Sequence, residues 1–323
     1  VWIVVANSWQ QTPAGYHIVG EGLDARAEIT DFWAMVFNPS SVDRLLHVWI
    51  GAFLAGAFLV MSVHAFYLLR DRYVELSQKA LKISLMVATI FALAQLVTGH
   101  QSADGVAENQ PAKLASFEGH FEPEAPGDLY LIGWVNKETQ EVKGIKWPGG
   151  LSFLVHWDAE EPVAGLNAFP EDERPGALNA IFQFYHLMVA IGLLLIAITL
   201  FGTLQWWRGK IFHHRWYLWV LVFAVILPQI SNQVGWYAAE MGRQPWVVFG
   251  HLKTSEALSE SVTSSHVIFS LIFFTLIYAL LLILFLYLMD RKIRKGPFDE
   301  SDIDNRMQLK DIAEQFEKSK SKK

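Results

Sequence analysis

The chain contains no cysteine among its 323 residues. This absence excludes disulfides, zinc ribbons, thiolate clusters and cysteine nucleophiles within the chain. A bound metal must therefore draw its protein ligands from histidine, methionine or carboxylate side chains. Charged residues are also scarce, at 18% against 52% hydrophobic residues, and the net charge is −6. No nucleic-acid-binding surface is indicated, because such surfaces are strongly basic.

The scarcity of charge leaves long apolar segments. A hydrocarbon layer of about 30 Å requires about 20 such residues in a helix. Four segments meet or nearly meet that length, and a fifth is shorter but contains no charge. The four are residues 45–69, 181–206, 216–239 and 267–289, and the shorter one is 83–97. The sequence therefore predicts an all-α fold, a polytopic transmembrane helix bundle with one long loop.

The basic residues of the short loops indicate the orientation, because cytoplasmic loops carry an excess of Lys and Arg. Such residues follow the first, third and fifth spans. They are Arg70, Arg72, Lys79, Arg208, Lys210, Arg215, Arg291, Lys292, Arg294 and Lys295. This pattern predicts that the long loop, with fourteen acidic and five basic residues, is extracytoplasmic and that the C-terminus is cytoplasmic.

The predicted organisation has five parts. Residues 1–14 are read as the end of a transmembrane helix whose beginning is missing, since an apolar run opens the sequence without a signal-peptide flank. Residues 15–100 form an outer connection and two transmembrane helices, and residues 101–180 form the extracytoplasmic loop. Residues 181–290 form three transmembrane helices, and residues 291–323 form a cytoplasmic tail.

Local patterns predict two smaller features. In the long loop, residues 129–135 and 141–147 are separated by a short polar segment and predict a β-hairpin. At the start of the first full span, Ser40 and Asp43 are three residues apart, which predicts a capping box.

A polar stripe marks the fourth full helix. Its members fall at offsets 0, 3, 4, 7 and 11, which places them on one helix face: Gln229, Asn232, Gln233, Trp236 and Glu240. An ionisable group in lipid costs at least about 2.5 to 3.5 kcal/mol, so this face is expected to meet protein, water or a cofactor. The simpler alternatives are interhelical hydrogen bonds for the amides and an interfacial carboxylate for Glu240.

His47 and Met188 are predicted at similar depths in two different spans. A His and a Met brought together in this way can supply the two axial ligands of a low-spin haem. A single Met in an apolar helix more often serves packing, and a His near a helix end is more often interfacial. His64 and His186 compete with His47 for the same role.

Five segments of the sequence form a recognisable set. The most specific is a signature formed by Gly235-Trp-Tyr-Ala-Ala-Glu240 together with Gly242-Arg-Gln-Pro-Trp246. The others are Ala6-Asn-Ser-Trp-Gln-Gln-Thr-Pro13, the helix that starts at His47, Lys113-Leu-Ala-Ser-Phe-Glu118 and His186-Leu-Met-Val-Ala190. Together they resemble cytochrome bd oxidase subunit I. The roughly 60 residues between Glu118 and the next span are similar to the forms of this family with a short quinol-binding loop, the Q-loop.

The resemblance implies roles for three haem-site residues. His47 and Met188 match the axial ligands of a low-spin haem b, which accepts electrons from quinol. Glu240 matches the carboxylate that ligates one of two high-spin haems. Many relatives carry Arg where this chain has His186, two residues before the matched methionine.

The resemblance extends to the signature and the loop. Trp236 is expected to lie between cofactors, and Arg243 and Gln244 belong to the signature. From charge chemistry we expect the Arg243 guanidinium to offset haem propionate charge. Lys113 and Glu118 match a quinol-interacting pair, although a spacing of five, about 500° on a helix, does not place them on one face.

The implied function is quinol:oxygen oxidoreduction in the bacterial cytoplasmic membrane. The implied cofactors are a low-spin haem b, a high-spin haem b, and haem d or a second high-spin haem b. The resemblance implies a second large membrane subunit and leaves room for small single-span subunits, with quinol, oxygen and the lipid bilayer as further partners. In this family a further haem ligand and a proton path lie in N-terminal helices without a match here, so we expect an N-terminally incomplete chain.

Two other functions are compatible with parts of the pattern. A membrane haem b electron-transfer subunit without oxygen chemistry would keep His47 and Met188 but would not need Glu240. An ion transporter would instead line a path with Glu240, Gln229 and Asn232, and Pro228 would break the helix to expose carbonyl groups.

Overall fold

The computed structural model describes residues 1–20, 22, 25–259 and 261–297. By its contacts the chain forms two units, Val1–Leu258 and Ser259–Lys323. The predicted cytoplasmic tail lies outside the described residues from residue 298 onward.

Helices dominate the described part of both units. The first unit contains α1 (Trp2–Gln11), α2 (Phe32–Val36), α3 (Ser41–Leu69), α4 (Val74–Asn109), α5 (Pro111–Glu118), α6 (Gly150–His156), α7 (Leu178–Trp207), α8 (Arg215–Ala224) and α9 (Ile226–Gly242). The second unit contains α10 (Ser264–Lys295). Within the described residues, five helical segments are long and apolar enough to cross a membrane: α3, α4, α7, the α8–α9 pair and α10. The predicted transmembrane bundle is confirmed.

The second span is longer than the sequence suggested. The helix begins at Val74 instead of 83 and ends at Asn109 instead of 97. The apolar segment marks only the part of the helix that is suited to the hydrocarbon layer. The helical backbone hydrogen bonds continue through the polar residues on both sides of it.

The α8–α9 pair is interrupted at Val225, which separates the two helices. Pro228 explains the position of the interruption. Proline has no backbone N–H, and its ring clashes with the carbonyl four residues earlier, which here belongs to Ala224, the last residue of α8. The helix break expected from Pro228 therefore lies three residues before it, at Val225.

A core at one end of the bundle is formed by α3, α4, α7 and α8. Its fully buried side chains include Phe58, Met61 and Leu85. The Tyr217 hydroxyl donates to the Ile198 carbonyl at 2.9 Å and occupies space that a Cβ on Gly202 would fill. Small residues permit this close helix approach in membrane bundles.

Three two-stranded antiparallel sheets lie outside the long helices. They are β1 (Tyr16–Val19) with β2 (Arg26–Ile29), β3 (Leu129–Asn136) with β4 (Glu141–Trp147), and β5 (Trp246–Val248) with β6 (Leu252–Lys253). The predicted hairpin in the long loop is confirmed by the β3–β4 pairing. Its turn is held by Asn136, whose side-chain oxygen accepts from the Glu138 amide at 2.9 Å.

The predicted capping box is wrong. Ser40 is the N-cap of α3, but its side chain makes no capping hydrogen bond. Its hydroxyl lies 2.6 Å from the Thr12 hydroxyl, because the segment after α1 packs against this helix start. A tertiary partner thus replaces the local one.

Candidate functional site

Glu240 lies near the end of α9 and is held from two sides. The Asn7 amide donates to Oε1 at 2.8 Å, and the Arg243 guanidinium lies 2.8 Å from Oε2. Asn7 is in turn fixed by Arg44 of α3, which donates to its side-chain oxygen. The carboxylate of Glu240 therefore has a defined position set by α1, α3 and α9.

Arg243 connects this carboxylate to α1. One guanidinium nitrogen, Nη1, donates to Gln10 Oε1 at 2.9 Å and to the Val247 carbonyl at 3.3 Å. Its buried Nε has no hydrogen-bond partner within the described residues. A buried donor without a partner is uncommon in folded proteins, so this side of the guanidinium is suited to a further acceptor.

Lys113 extends the same cluster from α5. Its Nζ donates to Gln11 Oε1 at 2.8 Å, and only 5% of the residue is exposed. Its side chain packs on Gly242, where a Cβ would lie 3.3 Å from Lys113 Cγ and 2.9 Å from Phe117. Burial above all, and then the positive charges of Arg44 and Arg243, lower the pKa of Lys113 well below its usual value, and Glu240 opposes this shift.

The charges of this cluster do not balance. Three basic side chains, Arg44, Lys113 and Arg243, surround one carboxylate, Glu240. Buried charges are costly unless they are paired. Anionic groups such as the propionates of a haem would offset this excess of basic groups, so the residues present fit a haem at this position.

His47, on α3, contacts α4. Its Nδ1 lies 3.3 Å from the Thr98 hydroxyl, and its Nε2 lies 2.9 Å from the Gln95 amide nitrogen. A Cβ on Gly99 would lie 3.5 Å from the ring. If Thr98 accepts the Nδ1 proton, Nε2 keeps a lone pair, which is the usual arrangement for a metal-ligating histidine.

Met188, on α7, contacts α9. A Cβ on Gly235 would lie only 2.6 Å from the Met188 sulfur, so glycine is required for this approach. One turn before Gly235 on α9, the Asn232 side chain contacts Gly51 of α3, where an added Cβ would lie only 2.9 Å from it. Gly51 is one turn after His47. The structure therefore brings His47 and Met188 toward the same stretch of α9. A histidine and a thioether suit a low-spin haem.

The competing histidines are less suitable ligands. His64 hydrogen-bonds with Ser77 at the start of α4, and 17 residues of helix separate it from His47, roughly 25 Å. Both ring nitrogens of His186 face backbone carbonyls, of Phe182 at 2.9 Å and of Tyr130 at 2.6 Å. Both ring nitrogens are thus directed at backbone carbonyls and not toward an open position for a metal.

Glu118, at the end of α5, faces α7. It is 2% exposed and hydrogen-bonded with Tyr185. Its Oε2 has no hydrogen-bond partner in the described part of the chain and lies 3.9 Å from His186 Nε2. Burial raises the pKa of Glu118 to about 8, and the hydrogen bond with Tyr185 opposes the rise.

Lys113 and Glu118 therefore have different surroundings. Lys113 contacts Gln11 and Gly242, whereas Glu118 contacts residues of α7. Phe117 stacks on Tyr185 with ring centroids 4.7 Å apart. The joint role of the two charged residues in quinol binding stays a prediction. In the structure the two side chains contact different sets of residues.

The polar stripe of α9 is divided between two environments. Asn232, Trp236 and Glu240 are half-buried, whereas Gln229 and Gln233 are exposed in this chain. The side of α9 that faces the rest of this chain is therefore the one that carries Asn232, Trp236 and Glu240.

Gln244 lies apart from the Glu240 carboxylate. Its side-chain oxygen accepts from the Thr254 hydroxyl at 2.6 Å, next to β6. This contact indicates that Gln244 holds the β5–β6 hairpin.

Four residues of the cluster were not singled out as site residues by sequence reasoning: Asn7, Gln10, Gln11 and Arg44. Three belong to the opening motif that carried part of the family resemblance. Arg44 is three residues before His47 and lies on the same side of α3. Within the described residues, no group of three or more His, Asp or Glu side chains is arranged for a free metal ion.

A family model described as cytochrome bd terminal oxidase subunit I matches residues 1–297. The chain is 30% identical over 305 residues to the cytochrome bd ubiquinol oxidase subunit 1 of Bacillus subtilis (strain 168), covering 91% of this chain and 64% of the relative. It is 36% identical over 310 residues to a putative cytochrome bd menaquinol oxidase subunit I of the same organism, covering 93% and 67%.

A bacterial relative and a solved structure agree with these matches. The cytochrome bd-II ubiquinol oxidase subunit 1 of Escherichia coli (strain K12) is 30% identical over 363 residues, covering 92% of this chain and 70% of the relative. The structure of bd oxidase from Geobacillus thermodenitrificans has a TM-score of 0.81 at 33% identity, covering 92% of this chain and 67% of that one. The chain thus spans about two thirds of the length of these proteins.

Proposed function

The chain belongs to the cytochrome bd terminal oxidase subunit I family, and we propose that it is the quinol-oxidising, haem-binding subunit of a membrane quinol:oxygen oxidoreductase. The observation that carries this proposal is the cluster in which Arg44, Lys113 and Arg243 surround Glu240. A membrane helix bundle gains nothing from such an excess of basic groups unless an anionic ligand binds there.

In this proposal Glu240 ligates one high-spin haem. Asn7 and Arg243 orient the carboxylate, at 2.8 Å each. Arg44, Lys113 and Arg243 would hold the propionates, and Trp236, one turn before Glu240, would lie between cofactors. When bound, the haem groups supply the redox chemistry that links quinol to oxygen.

His47 and Met188 are proposed as axial ligands of the low-spin haem b. Support comes from their approach to one stretch of α9 and from the Thr98 hydroxyl, which fixes the His47 ring through Nδ1. A third haem, haem d or a second high-spin haem b, is proposed from the family alone.

Quinol is proposed to bind beside Glu118. Oxidation of a quinol releases two electrons and two protons, and the open oxygen of Glu118 accepts one of these protons. With a pKa near 8, the carboxyl can both take up a proton and release it again near neutral pH. Lys113 lies on another side of α5, where its ammonium group attracts negatively charged groups near Glu240.

The cellular setting is proposed from the family and the loop charges. We place the chain in the bacterial cytoplasmic membrane, with the loop between α4 and α7 outside and the C-terminus in the cytoplasm. A second large membrane subunit is the proposed partner, and small single-span subunits are compatible with the arrangement.

The first experiment is a dithionite-reduced minus air-oxidised optical spectrum of the purified complex. The parent is expected to show low-spin and high-spin haem bands. Glu240→Ala should lose a high-spin band, and Met188→Leu should lose the low-spin band, with the fold retained in both. Gln233→Ala, an exposed position on the same helix as Glu240, is the matched control and should leave the spectrum unchanged.

The same spectra separate the rival functions. Low-spin bands alone in the parent would indicate an electron-transfer subunit without oxygen chemistry. An intact, folded complex without any haem band would refute the oxidase and favour an ion transporter.

A further inference from the structure

The β3–β4 hairpin has two apolar faces. On one face Val135 is buried and Tyr130 and Val142 are partly buried, and they pack with Phe182 of α7. The other face presents large apolar side chains without cover in this chain. They are Ile132 (70% exposed), Trp134 (64%), Ile145 (64%) and Trp147 (48%).

The exposed face is continuous across the two strands. Ile132 is paired with Ile145, Trp134 with Lys143, and Trp147 with Leu129. A hairpin that meets water usually alternates apolar residues toward the core with polar residues outward. Here the outward positions include two isoleucines and two tryptophans, with Lys143 beside Trp134, so this face is suited to a medium other than bulk water.

Hydrogen bonds to α7 fix the depth of the hairpin. Asn179 accepts from the Val135 amide at 3.0 Å, and Gln183 donates to the Gly133 carbonyl at 2.7 Å. His186 donates to the Tyr130 carbonyl at 2.6 Å. The strand therefore runs beside the first turns of α7, over roughly 10 Å of its axis.

The length of α7 allows the depth of the hairpin in the membrane to be estimated. Its 30 residues span about 45 Å, which equals the thickness of a bilayer with both headgroup layers. The hairpin then lies at the level of one headgroup layer and the adjoining edge of the hydrocarbon. Trp side chains prefer this level, and Lys side chains there reach the phosphates.

The hairpin is polar at the end expected in water. Its turn, with Lys137, Glu138 and Thr139, follows Val135, which contacts the first turn of α7. Tyr130, near the other end, contacts α7 two turns deeper. The change from polar tip to apolar base follows the change from water to lipid.

We propose that the β3–β4 hairpin is a membrane-interface element, whose Ile132, Trp134, Ile145 and Trp147 face is embedded in the headgroup layer of the lipid bilayer. The proposal depends on α7 crossing the membrane and not on the haem or quinol assignments. Since Tyr130 and Glu118 both contact His186, the hairpin also forms the wall between the bilayer and the Glu118 carboxyl.

The absence of cysteine in the chain permits single-cysteine labelling. We would prepare Ile132→Cys, Ile145→Cys and, as a matched control at the polar turn, Thr139→Cys. Each variant complex carries a nitroxide label and is placed in nanodiscs of phosphatidylcholine and phosphatidylglycerol. The parent complex, labelled in the same way, gives the background signal from cysteines of partner subunits. The haem spectrum and helical content of each variant are compared with those of the parent to verify that the variant is folded.

Collision with oxygen, which concentrates in lipid, is compared with collision with a water-soluble nickel chelate. Labels at 132 and 145 are expected to show several-fold greater oxygen-to-nickel accessibility than the label at 139. Equal nickel accessibility at all three positions would overturn the proposal. So would exclusion of both reagents at 132 and 145, which would indicate that a partner subunit or second copy covers the face.

Discussion

Glu118 allows a quantitative test of the quinol assignment. Burial raises its pKa from 4.5 to about 8, which corresponds to about 5 kcal/mol opposing its ionisation, at 1.36 kcal/mol per pKa unit. With that pKa, the ionised fraction is about 1% at pH 6, about 10% at pH 7 and half at pH 8. A base can accept the quinol proton only in its ionised form.

The expected pH profile follows from these fractions. The kcat/KM for quinol should rise about tenfold per pH unit from pH 6 to about pH 7.5 and level off above pH 8. Glu118→Gln should lower the rate by about 10²- to 10⁴-fold, the usual contribution of a positioned base, and should remove this rise. The haem spectrum should not change, because Glu118 contacts α7 side chains and not the Glu240 cluster.

Oxygen consumption with a soluble quinol analogue, measured from pH 5.5 to 9, checks the profile. Glu138→Gln, at the exposed hairpin turn, is the matched control and should behave as the parent. A parental rise that persists in Glu118→Gln would refute the role of this carboxyl as the proton acceptor. A pH titration of the carboxylic C=O infrared band, present in the parent and absent in the variant, should have its midpoint near pH 8.

The same pKa has a consequence for stability. A carboxyl whose pKa is higher in the folded than in the unfolded chain contributes stability below pH 4.5, and this contribution is lost as the pH rises to about 8. The loss is about 1.4 kcal/mol per pH unit within that window. Thermal unfolding of the complex at several pH values should show a shallower decline for Glu118→Gln than for the parent.

Two substitutions test the haem sites. Gly235→Ala would place a Cβ 2.6 Å from the Met188 sulfur, so we expect an altered low-spin spectrum and a stability loss of about 1 to 3 kcal/mol. Gly192→Ala on α7, where no described atom lies within 4 Å of the added Cβ, should leave both unchanged. Lys113→Met removes one basic group from the Glu240 cluster and should lower the high-spin haem potential by roughly 60 mV, equivalent to about 1.4 kcal/mol for one electron. Lys113→Arg should retain most of the potential in a redox titration, and no shift in Lys113→Met would contradict a role near the propionates.

The transmembrane helices could be predicted from the sequence because the signal is local. A run of about 20 uncharged residues has few alternatives to a spanning helix, and α3, α7 and α10 contain the predicted segments. The β3–β4 hairpin was predictable for the same reason, since strand and turn residues are adjacent in the chain. Helix ends were less predictable, as α4 shows, because polar residues continue the helix beyond the hydrocarbon.

The Glu240 cluster could be predicted only in part, because its members come from four elements distant in sequence. Periodicity placed Glu240 on a polar stripe, but no local pattern indicates that Asn7 lies 2.8 Å from it. The same holds for Arg44, whose contact with Asn7 depends on how α1 packs against α3. Tertiary packing decides which of several polar residues on a helix face meets a partner, as the exposed Gln229 shows.

The short helix α5 explains why two neighbouring charged residues have separate surroundings. Lys113 and Glu118 are five residues apart, so an α-helix directs their side chains about 140° apart. One side of α5 then carries Lys113 against Gly242 and Gln11, and another carries Glu118 against α7. Because Phe117 contacts both Gly242 and Tyr185, a single rigid helix separates the proposed quinol position from the Glu240 cluster by only a few side chains. The proposed quinol position is thus close to the Glu240 cluster, while the proposed proton-accepting carboxyl of Glu118 is kept apart from the basic groups of that cluster.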